Sequence, residues 1–188
     1  MNGKMISIGG QPVTVKLAMK MEDSLQAFAV RAACFIGEQD IPYSEEFDGH
    51  DFGATHILAC LGEEPVGTVR LRWFKSFAMP ERLAVMQRFR GHGIGELLIE
   101  RCRQLAESRG AGTLYTQSLP QDVKYWEKHG WSRLDAEDTT KGPKRLVAMV
   151  RSVDPSKPLP RADAPEQVAL RNEPQIDTSG LPVGGDRR

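Results

Sequence analysis

The segment "RFRGHGIGELL", residues 88–98, constrains the fold of this chain more than any other. Three glycines, Gly91, Gly93 and Gly95, come immediately before an apolar pattern with helical spacing. The predicted helix has no Ser, Thr, Asp or Asn at a plausible N-cap, so its first amide N–H groups lack a side-chain partner. A bound anion would supply that partner, and glycines let a phosphate approach the backbone. The segment therefore predicts a strand–loop–helix unit that either binds an anion or forms a water-capped turn.

The glycine spacing excludes two nucleotide-binding loops. The dinucleotide fingerprint G-x-G-x-x-G fails, because Glu96 stands where the third glycine belongs. The nucleotide P-loop fails as well, because no Gly-Lys-Ser/Thr follows the glycines. What remains is the pattern R-x-x-G-x-G, formed by Arg90, Gly93 and Gly95.

Strand and helix patterns precede the glycine loop. β-Branched runs on both sides of Gly9 and Gly10 predict a hairpin, because a tight turn needs positive φ at both central positions. A helix ending near Gly37 is predicted from apolar residues at helical spacing. These residues are Leu25, Phe28, Ala29, Ala32 and Phe35. A polar loop is predicted over 38–54, followed by two strands joined by a turn at Gly62 and Glu63, and by a third strand with a bulge or edge position at Pro80.

Strand and helix patterns also follow the glycine loop. The predicted elements are a helix over 94–110, a strand over 112–118, a short helix over 121–130 and strands over 131–134 and 144–153. These elements predict a mixed α/β domain with one twisted sheet and helices on both faces. We place this domain at 1–153. A proline-rich, flexible tail is predicted over 154–188, because that segment lacks an apolar period.

Composition narrows the class of protein. The formal net charge is zero, which argues against nucleic acid as the main partner. Three cysteines without a CxxC pair and the lack of a secretory signal favour a cytoplasmic protein, and no segment is apolar enough for a membrane span. The four histidines have no metal-ligand spacing, so we predict no metal site.

Two segments together resemble a known family. "ERLAVMQRFRGHGIGELLIERC" resembles the acetyl-CoA-binding motif of the GNAT superfamily of acyltransferases, and "YWEKHGW", residues 125–131, resembles its later motif F-Y-E-K-x-G-F. The resemblance covers about residues 12–152 and implies the GNAT acyl-CoA N-acyltransferase fold, a single twisted, mostly antiparallel sheet flanked by helices. It also implies acetyl-CoA as co-substrate. "RAACFIGEQDIPYSEEFDGHD" further resembles the ElaA-like branch, and its acidic spacing also occurs in acyl-homoserine lactone synthases.

The resemblance implies roles for the residues that match the motifs. The pantetheine arm would align with the backbone of strand residues, and the pyrophosphate would be held by loop amides. The residues implied for cofactor binding are Leu83, Ala84, Val85, Arg90, Gly91, His92, Gly93, Ile94, Gly95 and Trp126. Arg88 is as well explained as a solvated surface charge.

Catalysis would need a base and an acid. The resemblance implies Glu81 as the candidate base, because it stands at the position of E-x-L-x-V where several family members carry a carboxylate. Strand alternation predicts that it shares a face with Leu83 and Val85. It is equally well explained as a surface glutamate, with ordered water carrying the proton. The position of the family's acid tyrosine is occupied by Trp126, which has no transferable proton. Tyr125 is an alternative acid, although it lies about 100° around the helix and is expected to face elsewhere.

The acidic loop offers a candidate acceptor site. Glu46, Asp48 and Asp51 would neutralise a cationic amine, or alternatively cap turns. The resulting prediction is an N-acetyltransferase that acts on a primary amine of a small molecule or peptide by direct attack, with a homodimer as a plausible assembly. Two other functions stay open: a non-catalytic acyl-CoA-binding module, and a lactone synthase that uses S-adenosylmethionine.

Overall fold

The computed structural model describes residues 5–134, 139–141, 144–157 and 159. The strands are β1 Ser7–Ile8, β2 Gln11–Leu17, β3 Thr55–Leu61, β4 Glu64–Trp73, β5 Phe77–Val85, β6 Thr113–Ser118, β7 Ser132–Arg133, β8 Thr139–Lys141 and β9 Lys144–Ser152. The α-helices are α1 Met21–Arg31, α2 Tyr43–Glu46, α3 Ile94–Ser108 and α4 Val123–Lys128. A π-helical turn, Ala32–Gly37, extends α1, and 3₁₀ turns occupy Gln87–Phe89 and Pro120–Asp122.

The strands form one mixed sheet in the order β1-β2-β3-β4-β5-β6-β9-β7, with β8 paired to β9. Among the described strands, only β5 and β6 pair in parallel, and every other pair is antiparallel. The parallel pairing covers only two positions, Phe77 with Thr113 and Ala78 with Leu114. Thr116 Oγ1 on β6 still donates a hydrogen bond of 2.8 Å to the Pro80 carbonyl on β5. Beyond that contact the two strands diverge around a cavity that residues of both strands line. The predicted mixed, mostly antiparallel sheet is confirmed.

Helix α3 packs tightly on one face of the sheet. Ile94, Leu98 and Cys102 are buried along it, in agreement with the predicted apolar stripe. Gly67 on β4 makes this close approach possible, because a Cβ there would lie 3.1 Å from the Ile94 side chain and 3.3 Å from that of Leu98. The helix that follows the glycine loop is thus fixed against the centre of the sheet.

Helix α1 covers the opposite face, but its buried side differs from the prediction. Leu25 is 57% exposed, whereas Ala27, Val30, Arg31 and Cys34 are buried. The apolar spacing was misleading because this helix buries an arginine, and a buried cation needs carboxylates nearby. The first of these carboxylates lies on α2, a short helix inside the segment predicted as a loop.

The hairpin at Gly9 and Gly10 is confirmed, with φ values of 58° and 81°. The bulge of β5, however, lies two residues after Pro80. Pro80 pairs with Leu71, and the register then shifts around Arg82, which adopts a φ of 52°.

The bulge changes which residues of β5 share a face. Leu83 and Val85 pack with the core under α3, whereas Ala84 packs with α1 residues. Glu81 pairs with Arg70 and lies on the α1 side. The predicted shared face of Glu81, Leu83 and Val85 is therefore wrong, because the extra residue at the bulge reverses the alternation.

The predicted tail begins directly after β9. Its first residues form a turn in which the Lys157 Nζ donates a hydrogen bond of 2.6 Å to the Gly110 carbonyl. The rest of 154–188, apart from Leu159, lies outside the described residues. Within the described part of the chain, every helix is too short or too polar to cross a lipid bilayer.

Candidate functional site

The glycine loop joins β5 to α3 in a conformation that requires glycine. Gly91 and Gly93 have φ values of 79° and 83°, in the left-handed region that side chains disfavour. Gly93 is the N-cap residue of α3, and no side chain in the described part of the chain caps that helix. The predicted uncapped N-terminus is confirmed, and its amide N–H groups are available to an anion.

A groove of about 510 Å³, which we call the loop groove, lies beside this helix N-terminus. It is lined by Leu83, Val85, Arg90, Gly91, Gly93, Ile94, Gly95, Glu96, Asp122, Tyr125 and Trp126. Most of the residues predicted for cofactor binding are thus brought together. Ala84 is buried and packs toward α1 instead.

Arg90 and His92 are both engaged with the protein itself. The Arg90 Nε donates a hydrogen bond of 2.8 Å to the Val85 carbonyl, and its guanidinium forms an ion pair with Glu38. Arg90 therefore ties the loop to the end of α1. The His92 Nδ1 lies 3.0 Å from the Arg90 carbonyl, so its ring folds back on the loop. Arg88 pairs with Glu64 outside the groove.

Tyr125 lines the loop groove, contrary to the expectation that it faces elsewhere. Its hydroxyl oxygen lies beside Gly95, where an added Cβ would be 3.4 Å away. The Tyr125 ring also packs against His129, with centroids 4.4 Å apart. Burial, reinforced by the negative charge of Glu96, raises the pKa of Tyr125 above its usual value. The hydroxyl is therefore a protonated hydrogen-bond donor at neutral pH.

A second cavity, of about 370 Å³, occupies the space where β5 and β6 diverge; we call it the gap pocket. Its walls come from the π-helical turn after α1, from α2, β5 and β6, from the 3₁₀ turn before α4, and from α4 and β9. The polar lining residues are Gln39, Glu45, Glu46, Glu81, Arg82, Thr116, Gln117, Ser118 and Asp122. Leu83, Asp122 and Trp126 line both cavities, so the loop groove and the gap pocket meet at these three side chains.

Behind the gap pocket, buried arginines neutralise the acidic loop. Arg31 is fully buried and donates to Glu46 Oε1 at 2.5 Å and to Asp51 Oδ1 at 2.5 Å. Arg70 is also fully buried and makes two hydrogen bonds of 2.7 Å to the two oxygens of Asp48.

These contacts shift the pKa values of carboxyl groups in the acidic loop. Burial alone would raise the pKa of Asp48, but hydrogen bonding and charge from Arg70 outweigh it and hold that pKa well below its usual value. The pKa of Asp51 is lowered in the same way by Arg31 and Arg70, against the effect of burial. Glu46, Asp48 and Asp51 were predicted to meet the cation of a substrate, but the structure pairs them with cations of the chain itself.

Glu81 belongs to the same network and also faces the gap pocket. Its Oε1 accepts a hydrogen bond of 2.9 Å from Arg70 Nε and forms an ion pair with Arg70 Nη2 at 2.8 Å. Arg72 lies further away, at 3.7 Å. The carboxylate is therefore fixed in orientation, with 12% of the side chain exposed.

Sequence reasoning missed the roles of Arg31, Arg70 and Arg82. A usable signal was present, because Arg70 stands within the alternating strand "EPVGTVRLRW" at a position that the strand buries. An arginine there must meet carboxylates, and the acidic loop is the nearby source. Within the described residues, no group of His, Cys, Asp and Glu side chains is arranged to hold a metal ion.

Comparisons with known proteins agree with this geometry. The sequence profile of the acetyltransferase (GNAT) family matches residues 24–131, more than half of the chain. The uncharacterized N-acetyltransferase YjcF of Bacillus subtilis is 30% identical over 122 residues, covering 65% of this chain and 87% of that relative. Escherichia coli ElaA matches with a TM-score of 0.64 at 18% identity, over 74% of this chain and 99% of ElaA. A Bacillus subtilis acetyltransferase in complex with CoA matches with a TM-score of 0.57 at 14% identity, over 74% of this chain and 98% of that acetyltransferase.

The chain belongs to the GNAT family of acetyltransferases. The predicted GNAT fold and the predicted enzyme class, an acetyltransferase, are confirmed. Acetyl-CoA is the co-substrate of this family. An uncapped helix N-terminus such as the one beside the loop groove is a general binding site for anions such as phosphate groups. ElaA shares the fold at 18% identity, which leaves membership of the ElaA-like branch a prediction.

Proposed function

We propose that this protein transfers the acetyl group of acetyl-CoA to a primary amine by direct attack of the amine on the thioester. The observation that carries the proposal is the junction of the two cavities at Leu83, Asp122 and Trp126. A cofactor held at the loop groove would present its thioester at this junction. An acceptor in the gap pocket would reach it from the opposite side.

The cofactor end of the proposal rests on the backbone. The amide groups from Arg90 to Gly95 would receive the pyrophosphate at the start of α3. The pantetheine arm would lie along Leu83 and Val85, where β5 has no ladder partner in β6. Backbone amides of this stretch would then polarise the thioester carbonyl. Arg90, held by Val85 and Glu38, would support the loop from behind.

Glu81 remains the proposed proton acceptor. It lines the gap pocket, and Arg70 fixes its carboxylate in the pocket wall. The acceptor enters as an ammonium ion and must lose a proton before it attacks. Glu81 would receive that proton directly or through a water molecule.

Asp122 is a second carboxylate that we propose for the acceptor end. It lies at the junction, and its carboxylate has no hydrogen bond or ion pair with any other residue that the structure describes. A cationic amine would give it a partner. The acceptor proposed here is therefore a positively charged amine, attracted by Asp122 in place of the predicted Glu46, Asp48 and Asp51.

Tyr125 is proposed as a cofactor contact and not as the acid. It lines the loop groove beside Gly95 and does not border the gap pocket. Trp126 borders both cavities and would pack on the acyl end of the cofactor. The departing thiolate would take its proton from solvent, since a thiol with a pKa near ~8.5 leaves readily as thiolate.

One competing function has support in the sequence. The replacement of the family's acid tyrosine by Trp126 keeps a non-catalytic acyl-CoA-binding module as the alternative to test, although the family assignment supports an enzyme. We further propose a cytoplasmic location, because Cys34, Cys60 and Cys102 are buried and unpaired, which suits a reducing compartment. A homodimer stays a proposal that light scattering would test.

A two-stage experiment tests the proposed function. Acetyl-CoA is first titrated calorimetrically, and saturable binding with one site per chain is expected. Release of free CoA thiol is then followed with n-butylamine, 1,4-diaminobutane, spermidine and a lysine-containing tetrapeptide. Binding without thiol release would favour the module. Turnover only with S-adenosylmethionine and a longer acyl donor would favour the lactone synthase.

A further inference from the structure

Arg82 occupies the most constrained backbone position in the gap pocket. It lies at the β5 bulge with a φ of 52°, in the left-handed region that disfavours side chains. Glycine would relieve this strain. The backbone geometry alone therefore gives no reason for an arginine, so the reason lies in its side chain.

The Arg82 side chain bridges β5 to the acidic segment across the pocket. Its Nη2 donates hydrogen bonds of 2.6 Å to the Glu45 carbonyl and 2.9 Å to Asp48 Oδ2. Its Nε lies 3.0 Å from Glu46 Oε2. The guanidinium is thus bound to three residues, Glu45, Glu46 and Asp48, of the segment that contains α2.

This bridge determines where one wall of the gap pocket stands. Glu45 and Glu46 line that wall, and both belong to α2, which has only four residues. A helix of that length has little stability of its own. Arg31 anchors Glu46 from the buried side, whereas Arg82 fixes the distance between α2 and β5.

We propose that Arg82 is a positioning residue for the acceptor: its side chain holds the α2 wall against β5, so that the acceptor amine meets the thioester in a defined orientation. The proposal rests on the function proposed above. Arg82 lines the gap pocket and not the loop groove, so the bridge acts on the acceptor and not on the cofactor.

Three substitutions separate the side chain from the strained backbone. Arg82→Lys and Arg82→Gln keep a side chain at positive φ, but only the lysine keeps the charge. Arg82→Gly relieves the strain and removes the bridge. Loss of charge-assisted hydrogen bonds raises the KM for the acceptor about tenfold or more in Arg82→Gln and Arg82→Gly. Arg82→Lys gives an intermediate KM, because an ammonium reaches one carboxylate but cannot reproduce the planar fork.

The kinetic readout uses the fastest amine of the four named above, and calorimetry gives the acetyl-CoA Kd of each variant. The Kd is expected to stay within about twofold of the wild-type value, since the bridge does not border the loop groove. Hydrogen exchange of amides 43–48, measured with saturating CoA, supplies a readout that needs no acceptor. Faster exchange there, with unchanged exchange in β3 and β4, is expected for Arg82→Gln and Arg82→Gly.

Two results would overturn the proposal. One is a wild-type acceptor KM in Arg82→Gly or Arg82→Gln, with unchanged exchange of amides 43–48. The other is a rise in the acetyl-CoA Kd that parallels the rise in the acceptor KM in all variants. That result would mean that Arg82 supports the structure of β5 as a whole. If Arg82→Gly does not fold, the comparison of Arg82→Lys with Arg82→Gln tests the proposal, since both variants carry the same backbone strain. If the wild type acetylates no amine, the proposed function fails, and wild-type exchange of amides 43–48 in Arg82→Gln would show separately that the bridge fails too.

Discussion

The loop groove and the gap pocket meet at three side chains, yet they are built in opposite ways. The loop groove is formed largely by one continuous stretch, from Leu83 to Glu96, and the groups proposed to bind the cofactor there are mainly backbone amides. The gap pocket draws on seven separate elements, and arginine side chains hold it together across sequence separations of 11 to 37 residues. The comparison teaches that the cofactor end is encoded locally, whereas the acceptor end depends on tertiary ion pairs.

The largest effect is expected from breaking the ion-pair network. Arg70→Met would leave Asp48 and Glu81 with reduced compensation in a buried site. Removing one partner of a buried ion pair destabilises a protein by about 3–5 kcal/mol. Urea unfolding measures this loss of unfolding free energy.

The matched control is an arginine in an exposed pair. Arg88 pairs with Glu64 at the surface, where ion pairs contribute about 0–1 kcal/mol. The free energy of unfolding of Arg88→Met should therefore lie within about 1 kcal/mol of the wild-type value. Equal losses in the two variants would contradict the contrast between a buried network and a solvated pair.

A smaller, catalytic effect is expected at Glu81. Glu81→Gln removes the proposed proton acceptor while keeping a similar shape, so kcat at neutral pH should fall about 10²-fold. The acetyl-CoA Kd should stay unchanged, because Glu81 does not border the loop groove. Glu127→Gln on the exposed side of α4 is the control and should keep wild-type kcat. A Glu81→Gln variant with wild-type kcat would leave proton transfer to water.

The smallest effect is expected at Tyr125. Tyr125→Phe removes one hydroxyl from the loop groove, and loss of a single hydrogen bond should weaken acetyl-CoA binding about three- to tenfold. The value of kcat and its pH dependence should not change. A large fall in kcat with unchanged acetyl-CoA affinity would instead identify Tyr125 as the general acid.

The features that the sequence predicted well are those decided by neighbouring residues. The uncapped start of α3 follows from the local chain, as does the hairpin with positive φ at Gly9 and Gly10. The order of elements and the mostly antiparallel sheet followed from the periodicity of the apolar residues. The motif at 88–98 then indicated the family that the comparisons confirm.

The errors lie where a distant contact overrides the local pattern. Strand alternation placed Glu81 with Leu83 and Val85, but the bulge at Arg82 moved it to the other face. That bulge is stabilised by partners 34 to 37 positions away, which periodicity does not reveal. The partners of Asp48 and Asp51 were missed for the same reason.

The central claim is that the glycine loop and the start of α3 bind acetyl-CoA. The most direct test compares acetyl-CoA titrations of Gly93→Val and Gly110→Val by calorimetry. Both glycines have positive φ, 83° and 74°, so valine strains the backbone in each. Only Gly93 borders the loop groove, and a Cβ at Gly110 would meet no atom within 4 Å.

We expect Gly93→Val to bind acetyl-CoA at least about 100-fold more weakly than the wild type, a loss of about 2.7 kcal/mol, and Gly110→Val to keep wild-type affinity. Thermal unfolding should show comparable stability losses in the two variants, because both place a β-branched residue at positive φ. Wild-type affinity in a folded Gly93→Val variant would contradict the claim and reduce the loop to a turn.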